Sequence, residues 1–489
     1  MRPEGRERRR ASLGTHDEPP REPRRSLAGT APIAKFFSPM SPPTLATGGG
    51  APDLDRAIGP WQATAMVIGT MIGASIFVQP SVVIGHVPSL PGVFGAWLAS
   101  GALTLCGALV CAELASALPR TGGVYVFLAE AFSPTLGFLW GWAMLWSVHS
   151  GIIAAIAMVF ARYVGYFTPL GDLGTRAVAV AVILLLSAVN YVGVRHGSRL
   201  QAGFTAGKLL AIVGLVVLGV VLGGQLPAHF VGAATPHAVT SQGFALALAA
   251  GLFAYGGWHL VTYAAGETVQ AERTIPRAIV AGTLVVTVCY LALNAVYLYV
   301  LPLDAVVTSS RVAADAADAV LGRGGGAVMS GVVLFSTLGA LSGVILTGPR
   351  VYFAMARDGV FVPWVAALHP VFRTPHRAIV LQAVWSTALV AAATYQTLFM
   401  QVIYTEWIFF GLMALGMMRL SRRPGYAPRY RVPGGPVIPG AFIVGAACVV
   451  VVQIRTAPVR SLVGLLVVAL GFPVYYWLAR SRAPRSVVP

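Results

Sequence analysis

A lysine lies within an apolar stretch, FTAGKLLAIVGLVVLG, where it is the only charged residue. This residue is Lys208; the chain has one other lysine, Lys35, in a polar tail, and its remaining cationic side chains are arginines. A charge inside a membrane segment is costly and usually faces the protein interior. Lysine, unlike arginine, can give up its proton when it is buried. The residue type therefore indicates a cation whose proton can be exchanged.

Glycines interrupt two other apolar stretches. IGTMIGASIF contains Gly69 and Gly73, and GLFAYGGWH contains the adjacent Gly256 and Gly257. Glycine costs about 1 kcal/mol relative to alanine in a helix interior, and unpaired backbone in a membrane must line a cavity or be buried in protein. A half-helix N-terminus offers N–H groups to a carboxylate, and a half-helix C-terminus offers carbonyls to an ammonium. Two broken helices can thus bind a zwitterion; the alternative is close helix packing through small residues.

An intramembrane carboxylate, Glu406 in YTEWIFF, is a further candidate for function. It could line the side-chain end of a pocket, carry a proton, or pair with another helix. His149 fits a packing role better than a functional one.

Other polar residues lie near the ends or on one face of apolar stretches. Ser336, Thr337 and Ser342 could approach the lysine, although serine in a membrane helix more often bonds to backbone. Glu113 and Glu130 flank one loop and are interpreted as interface or gating charges. The segment RPGYAPRYR is expected to be a solvated loop.

These residues must be positioned by membrane helices. The chain has 489 residues, of which 56% are hydrophobic and only 10% charged, against about 25% charged in soluble domains. Its net charge of +17 does not indicate nucleic acid, because the arginines punctuate the apolar runs instead of forming one patch with aromatics. An arginine bias toward the loops of one side predicts cytoplasmic N- and C-termini.

The apolar runs predict an all-α protein with twelve transmembrane helices. Their expected bounds are 60–83, 93–118, 136–163, 176–194, 202–223, 243–264, 278–301, 327–353, 378–395, 399–418, 437–454 and 461–479. The glycine interruptions fall in the first and sixth, five apart. Interrupted helices at corresponding positions of two halves are typical of an inverted-repeat transporter with a midplane site.

The ends of the chain differ from its centre. Residues 1–56 are rich in Arg, Pro and Glu and lack the apolar core of a secretory signal, which predicts a disordered cytoplasmic tail. Residues 57–480 are expected to form one transporter domain and 481–489 a cytoplasmic C-terminal tail. Translation could start at Met1 or at Met40. The four cysteines have no disulfide or zinc spacing, so the sequence indicates neither a metal nor a cofactor.

Several motifs, in order, resemble the amino acid–polyamine–organocation transporter superfamily, and most closely its L-type amino acid transporter branch with its bacterial relatives. They are GTMIGASIF, AELASALPRTGGVYVFLAEAFSPTLGFLWGW, FTAGKLLA, GLFAYGGW, ERTIPRAI and YRVPGGPVIP. The resemblance covers about residues 57–480. It implies a LeuT-type fold, in which helices 1–5 and 6–10 are inverted repeats with helices 1 and 6 broken, and helices 11 and 12 are peripheral.

The resemblance also implies a substrate site at the two breaks. Carried over by motif, the substrate carboxylate meets the amides of Gly73, Ala74 and Ser75. The substrate ammonium meets the carbonyl of Met71 in the first interrupted helix and those of Phe253 and Gly256 in the sixth. These two belong to the substrate-binding run Phe253, Ala254, Tyr255 and Gly256, in which Phe253 resembles an aromatic lid. Two departures are Gly73-Ala74-Ser75, where the family usually has glycine third, and His259, where the L-type branch has asparagine.

For the lysine, the resemblance implies that Lys208 occupies the place where sodium-coupled relatives bind a second Na⁺. Transport would then be sodium-independent, with either proton coupling or exchange that ignores the proton gradient. Lys208 lies about 9 Å into its helix at 1.5 Å per residue, so snorkelling of its stem to the interface is the structural alternative.

The expected partners are an amino acid substrate, protons and the lipid bilayer, with no nucleic acid. Eukaryotic L-type carriers attach to a heavy chain through a cysteine in the loop after helix 3. Residues 163–176 contain none, so no disulfide-linked heavy chain is expected. An amine or polyamine carrier of the same superfamily, or a non-transporting amino acid sensor, are the alternative functions. No enzyme motif is present in the sequence.

Overall fold

A computed structural model describes residues 54–73, 75–222, 239–309, 311–322, 324–392 and 395–480 of the chain. Over these residues the secondary structure is helical, and the single β contact among them is a parallel bridge between Ile58 and Thr268. The all-α class is therefore confirmed for the described part of the chain. The predicted tails at 1–53 and 481–489 lie outside it.

The helices follow one another with short connections. In chain order they are α1 Pro60–Met71, α2 Gln79–His86, α3 Leu90–Ala117, α4 Val124–Ala131, α5 Pro134–Ala143, α6 His149–Phe167, α7 Asp172–Val192, α8 Val194–Leu222, α9 Ser241–Ala254, α10 Ala271–Val300, α11 Leu303–Thr308, α12 Val312–Leu321, α13 Gly325–Arg357, α14 His376–Ala392, α15 Tyr395–Leu420, α16 Val437–Thr456, α17 Pro458–Ala469 and α18 Gly471–Arg480. Short 3₁₀ helices cover Ser75–Phe77, Leu260–Glu267 and Pro363–Ala366, and a π-helical turn, Met144–Val148, joins α5 to α6.

Within the described residues, eight helices are long and apolar enough to cross a membrane. A ninth results if Pro60–Phe77 and Gln79–His86, which are bent by 62°, form one span. Helix α9 has 14 residues and is short for a complete crossing, whereas α14 has 17, the lower limit for one. The chain is a multi-pass membrane protein, and the count of twelve spans stays a prediction.

The first predicted span is interrupted where its glycine motif stands. Helix α1 ends at Met71, and the Ile72 N–H bonds to the Ile68 carbonyl at 2.8 Å, which closes the last turn. The chain then leaves helical geometry before the short 3₁₀ helix and α2. A Cβ added to Gly73 would lie 3.3 Å from the Cβ of Ala340, so α13 passes very close to this break.

The sixth predicted span is interrupted in the same manner. Helix α9 ends at Ala254, and a 3₁₀ helix begins at Leu260. Between them Gly257 has a φ of +104°, which L side chains rarely adopt. A Cβ there would also lie 3.1 Å from the carbonyl oxygen of Thr70. The Thr70 hydroxyl lies 3.2 Å from the Gly257 carbonyl, so the two breaks are adjacent.

The interior is formed by α1, α10 and α13 together with the paired α5 and α6. Helix α10 packs against α3 and α1, and α13 packs against α6 and α8. In the most apolar window of 134–167, 72% of the residues are buried, against 17% in 461–479. The final span therefore lies at the periphery, whereas α1, the first part of a broken helix, packs against α10 and α13 in the interior.

Candidate functional site

The ammonium of Lys208 is turned into the protein. Its Nζ donates to the carbonyl oxygens of Gly69 at 2.9 Å, Ile72 at 2.6 Å and Ser336 at 3.1 Å, and the residue is only 1% exposed. Three acceptors match the three protons of an ammonium. The snorkelling alternative is wrong, because the ammonium is buried and bonds to three backbone carbonyls inside the protein.

The lysine thereby joins three helices. Gly69 and Ile72 belong to the end of α1, where carbonyls lack helical partners and carry partial negative charge. Ser336 belongs to α13, and Gly339 on the same helix lets α8 approach closely, since a Cβ there would lie 2.6 Å from the Phe204 Cβ. No carboxylate forms an ion pair with Lys208 in the described part of the chain. Carbonyl dipoles alone therefore balance this charge.

The three hydroxyls expected near the lysine behave differently. Ser336 contributes its carbonyl, and its hydroxyl lies 3.5 Å from the Ile72 carbonyl. The Thr337 hydroxyl lies 2.9 Å from two carbonyls of its own helix, those of Val333 and Leu334, and shares its proton between them. Ser342 makes no hydrogen bond to described residues. Only Ser336 contacts the ammonium, through its backbone.

A tyrosine that the sequence did not single out connects the two breaks. The hydroxyl of Tyr290, on α10, lies 2.7 Å from the Met71 carbonyl and 2.8 Å from the Ala254 carbonyl. A phenol has one proton, so it can donate to only one of these oxygens at a time. The second carbonyl can accept a proton from another donor. Tyr290 stands among other tyrosines of the same apolar run, so nothing in its sequence context distinguishes it.

The backbone groups assigned to substrate binding are bonded to one another within each break. The Gly73 N–H donates to the Met71 carbonyl at 2.8 Å, and the Gly256 N–H to the Phe253 carbonyl at 3.0 Å. Ser75 begins the short 3₁₀ helix, and its carbonyl accepts from Val78 at 3.0 Å. Ala74 lies outside the described residues. Phe253 is half-buried, and Tyr255, which caps α9, is buried.

At the end of the second break, next to the 3₁₀ helix that begins at Leu260, a histidine faces the intramembrane carboxylate. His259 Nε2 lies 3.6 Å from Glu406 Oε1, with side-chain exposures of 1% and 10%. The imidazole is surrounded by the rings of Phe410, Trp258 and Tyr263, at centroid distances of 4.8, 5.3 and 5.5 Å. Glu406 thus faces the second break, and neither imidazole nitrogen of His259 has a hydrogen-bond partner among the described residues. This distance exceeds that of a charge-assisted hydrogen bond.

His149, in contrast, has a structural environment. Its Nε2 lies 2.8 Å from the carbonyl of Val344, in the middle of α13, and the residue is fully buried. A Cβ on Gly348, one turn further, would lie 2.3 Å from the imidazole. These contacts agree with the packing role expected from the sequence.

A buried ion pair joins the 3₁₀ helix Leu260–Glu267, which follows the second break, to α13. Arg350 contacts both carboxylate oxygens of Glu267 through Nε at 2.8 Å and Nη2 at 2.9 Å, and its third bond goes to the Leu346 carbonyl. The backbone carbonyl of Glu267 accepts the N–H groups of Ala57 and Ile58, both at 2.9 Å. Glu267 therefore holds together the segment before α1, its own 3₁₀ helix and α13. No motif in the sequence indicates this pair, because its partners are 83 positions apart.

The other carboxylates at this end hold loops. Glu113 accepts from the Val432 N–H at 2.7 Å and the Tyr426 hydroxyl at 3.2 Å. Burial and the nearby Glu113 carboxylate raise the pKa of the Tyr426 phenol. Glu130 pairs with Arg120 at 2.8 Å at an exposed position. The segment expected to be a solvated loop is exposed at six of its nine residues, and Tyr426 and Tyr430 attach it to Glu113 and Ser116 of α3.

Comparison with known proteins assigns the family. A model of amino acid permeases matches residues 58–478. The chain belongs to the amino acid permease family. The expected likeness to the amino acid–polyamine–organocation superfamily is thereby confirmed.

The curated relatives of this permease support the L-type likeness. It is 31% identical to the serine/threonine exchanger SteT of Bacillus subtilis, over 88% of this chain and 98% of the relative. It is 30% identical to the large neutral amino acids transporter small subunit 2 of Homo sapiens, over 89% and 82%. It is also 30% identical to the human b(0,+)-type amino acid transporter 1, over 87% and 88%. These relatives are transporters and exchangers, not enzymes.

Proposed function

We propose that this permease is a secondary transporter that moves an amino acid across the cell membrane by alternating access and without sodium. Its relatives include a serine/threonine exchanger and the small subunit of a large neutral amino acids transporter. The observation that carries the proposal is the contact of Lys208 with three carbonyls at the end of α1 and on α13.

The proposed fold is the twelve-helix LeuT-type arrangement over residues 57–480. The two interrupted helices lie five spans apart in the predicted order and touch at their breaks, which supports an inverted repeat. The peripheral position of the last span supports its place outside the repeats. The cytoplasmic side is proposed to be the end that carries Glu113, Glu267 and the loop between α15 and α16, since most described arginines lie in the loops there.

The proposed substrate site lies between the breaks. The substrate carboxylate binds the amides of Gly73, Ala74 and Ser75, and its ammonium binds carbonyls of helices 1 and 6. The two carbonyls that share the single proton of Tyr290 support this arrangement, because one of them can accept a bond from the ammonium. The Gly73 N–H is bonded to the Met71 carbonyl and the Gly256 N–H to the Phe253 carbonyl. When these hydrogen bonds break, the Gly73 amide and the two carbonyls become free to bind a zwitterion.

The proposed role of Lys208 is to replace a sodium ion. An ammonium held by three carbonyl oxygens at 2.6–3.1 Å supplies the positive charge that a cation would supply there. When the amine is neutral, it keeps two protons for three acceptors and turns a lone pair toward a carbonyl. Deprotonation would therefore loosen α1 from α8 and α13, which gives a route for proton coupling.

Glu406 and His259 form the second proposed polar element. His259 lies at the end of the second break, 3.6 Å from Glu406, so the two residues can contact a substrate side chain or share a proton during the cycle. An amine or polyamine carrier is the alternative function. A polyamine requires several unpaired carboxylates, whereas Glu267 is already neutralised by Arg350, so the described part of the site supports an amino acid.

A ligand screen tests the proposal and separates the alternatives. A ligand that binds only the folded protein raises its unfolding midpoint. We expect amino acids to raise the midpoint of the purified protein and polyamines to leave it unchanged. Uptake into vesicles that contain this polypeptide alone would exclude both a sensor and a required heavy chain. Stabilisation by polyamines alone would overturn the proposal.

A further inference from the structure

Three arginines border a cavity at the loop end of the bundle. The cavity has a volume of about 700 Å³ and is lined by Glu272, Arg273, Pro276, Arg277, Arg429 and Tyr430. Arg273 and Arg277 lie on the first turns of α10, and Arg429 lies in the loop before α16. Two elements that are far apart in sequence thus bring cationic side chains to one concave surface.

The charges of this cavity are not balanced by the protein. The single carboxylate in its lining, Glu272, lies 3.6 Å from Arg429. Arg273 and Arg277 are exposed and form no ion pair with any described residue. Three arginines against one glutamate leave two positive charges, and guanidinium groups suit the oxygens of a phosphate.

An apolar surface continues from these arginines along the same helix. The exposed residues of α10 fall at 273, 277, 281, 284, 285 and 288, which is one face of a helix. Leu284 and Val288 are 48% and 67% exposed. From Arg277 to Val288 the face extends about 16 Å at 1.5 Å per residue, close to half of the roughly 30 Å hydrocarbon core.

A second apolar surface flanks the first. Helix α16 starts just after the loop that carries Arg429, and its Val437 and Val444 are 71% and 64% exposed. Helix α3 packs against both α10 and α16. A Cβ on Gly445 would lie 2.5 Å from Leu103, so α16 approaches α3 closely. The arginines of the cavity match the charged head group of a lipid, and the apolar faces of α10 and α16 match its acyl chains.

We propose that Arg273, Arg277 and Arg429 bind the phosphate head group of an anionic phospholipid, whose acyl chain lies along the exposed face of α10. Unlike a soluble anion, such a lipid uses both the cationic cavity and the apolar face. Basic pockets between helices at the cytoplasmic surface are established binding places for anionic lipid head groups. The occupant would link α10 to the loop that is docked on α3.

Lipid titration with native mass spectrometry tests this site. The full chain, purified in neutral detergent, is titrated with dioleoyl phosphatidylglycerol, with dioleoyl phosphatidylcholine, and with phosphatidylglycerol in the presence of inorganic phosphate. We expect the protein to retain phosphatidylglycerol and not phosphatidylcholine. Each arginine near an anionic lipid contributes roughly fivefold in affinity, so Arg273→Gln/Arg277→Gln should weaken binding by roughly 30-fold.

Two further variants make the test specific. Arg357→Gln/Arg422→Gln removes two exposed arginines from the same end of the molecule but outside the cavity, and should leave binding unchanged. Glu272→Gln removes the carboxylate that competes for Arg429 and should tighten binding. Equal losses in the two double variants, equal retention of both lipids, or full displacement of the lipid by millimolar phosphate would overturn the proposal. Native spectra also report whether each variant is folded.

Discussion

The Nζ of Lys208 lies 2.6 Å from the carbonyl oxygen of Ile72, the residue at which the first membrane helix stops. A charged side chain on α8 therefore caps the C-terminal end of α1 from another helix. Because a helix end carries about half a negative charge, the contact stabilises a break that would otherwise leave carbonyls unpaired in the membrane. The geometry couples the charge of one lysine to the position of α1.

Tyr290→Phe should weaken both the fold and substrate binding. The change removes the only proton shared by the Met71 and Ala254 carbonyls, and a buried acceptor left without a donor costs about 1–3 kcal/mol. We expect a lower unfolding midpoint and a higher Kd for the substrate amino acid. Tyr297→Phe is the matched control on the same helix, since the Tyr297 hydroxyl has no hydrogen-bond partner among described residues. Similar losses in the two variants would contradict the bridging role.

Gly257→Ala should be more damaging than a change at Gly256. At φ +104° any side chain is strained, and the new Cβ would meet the Thr70 carbonyl at 3.1 Å. We expect loss of ligand-induced stabilisation and a lower midpoint. Gly256→Val should remove substrate binding while the protein stays folded. Gly203→Ala, a helical position with no atom within 4 Å of the new Cβ, should be neutral or stabilising by up to about 1 kcal/mol. Normal uptake by Gly257→Ala would contradict the assigned break.

Glu267→Gln should destabilise the protein strongly. It leaves the Arg350 charge buried without its partner, which costs about 3–5 kcal/mol. The control is Glu130→Gln, which breaks an ion pair with 40% and 43% exposed side chains and should cost about 0–1 kcal/mol. Thermal unfolding of the two variants measures the difference. If both midpoints fell by the same small amount, the buried pair would not hold these segments together.

His259→Asn tests the polar element at the second break. The change removes the ring that faces Glu406 while leaving an amide of similar polarity. We expect altered selectivity among amino acids, because the carboxylate is then free to meet a substrate side chain. Competition for uptake by a panel of amino acids measures the change, with His149→Asn as the comparison that should reduce stability instead. An unchanged selectivity profile would remove His259 from the site.

The sequence predicted the local features of this molecule better than its long-range contacts. The breaks could be predicted because glycine runs that helices disfavour lie inside apolar stretches, and both interruptions occur there. The inward charge at Lys208 could be predicted because the chain uses arginine almost everywhere else. Tyr290, Glu267 and Arg350 could not be predicted, since their roles depend on contacts between residues 36 to 219 positions apart.

The measurement that tests the central claim most directly is uptake of a bound amino acid into vesicles containing this polypeptide alone. Uptake is recorded with and without Na⁺ and with an imposed pH step, for the wild-type protein and Lys208→Ala. We predict wild-type uptake that does not need Na⁺ and rises with an inward proton gradient, and a variant that has lost uptake and its response to pH. Wild-type exchange that ignores the gradient would favour a permanently charged lysine. A strict Na⁺ requirement in the wild type, or full activity and pH response in Lys208→Ala, would contradict the account.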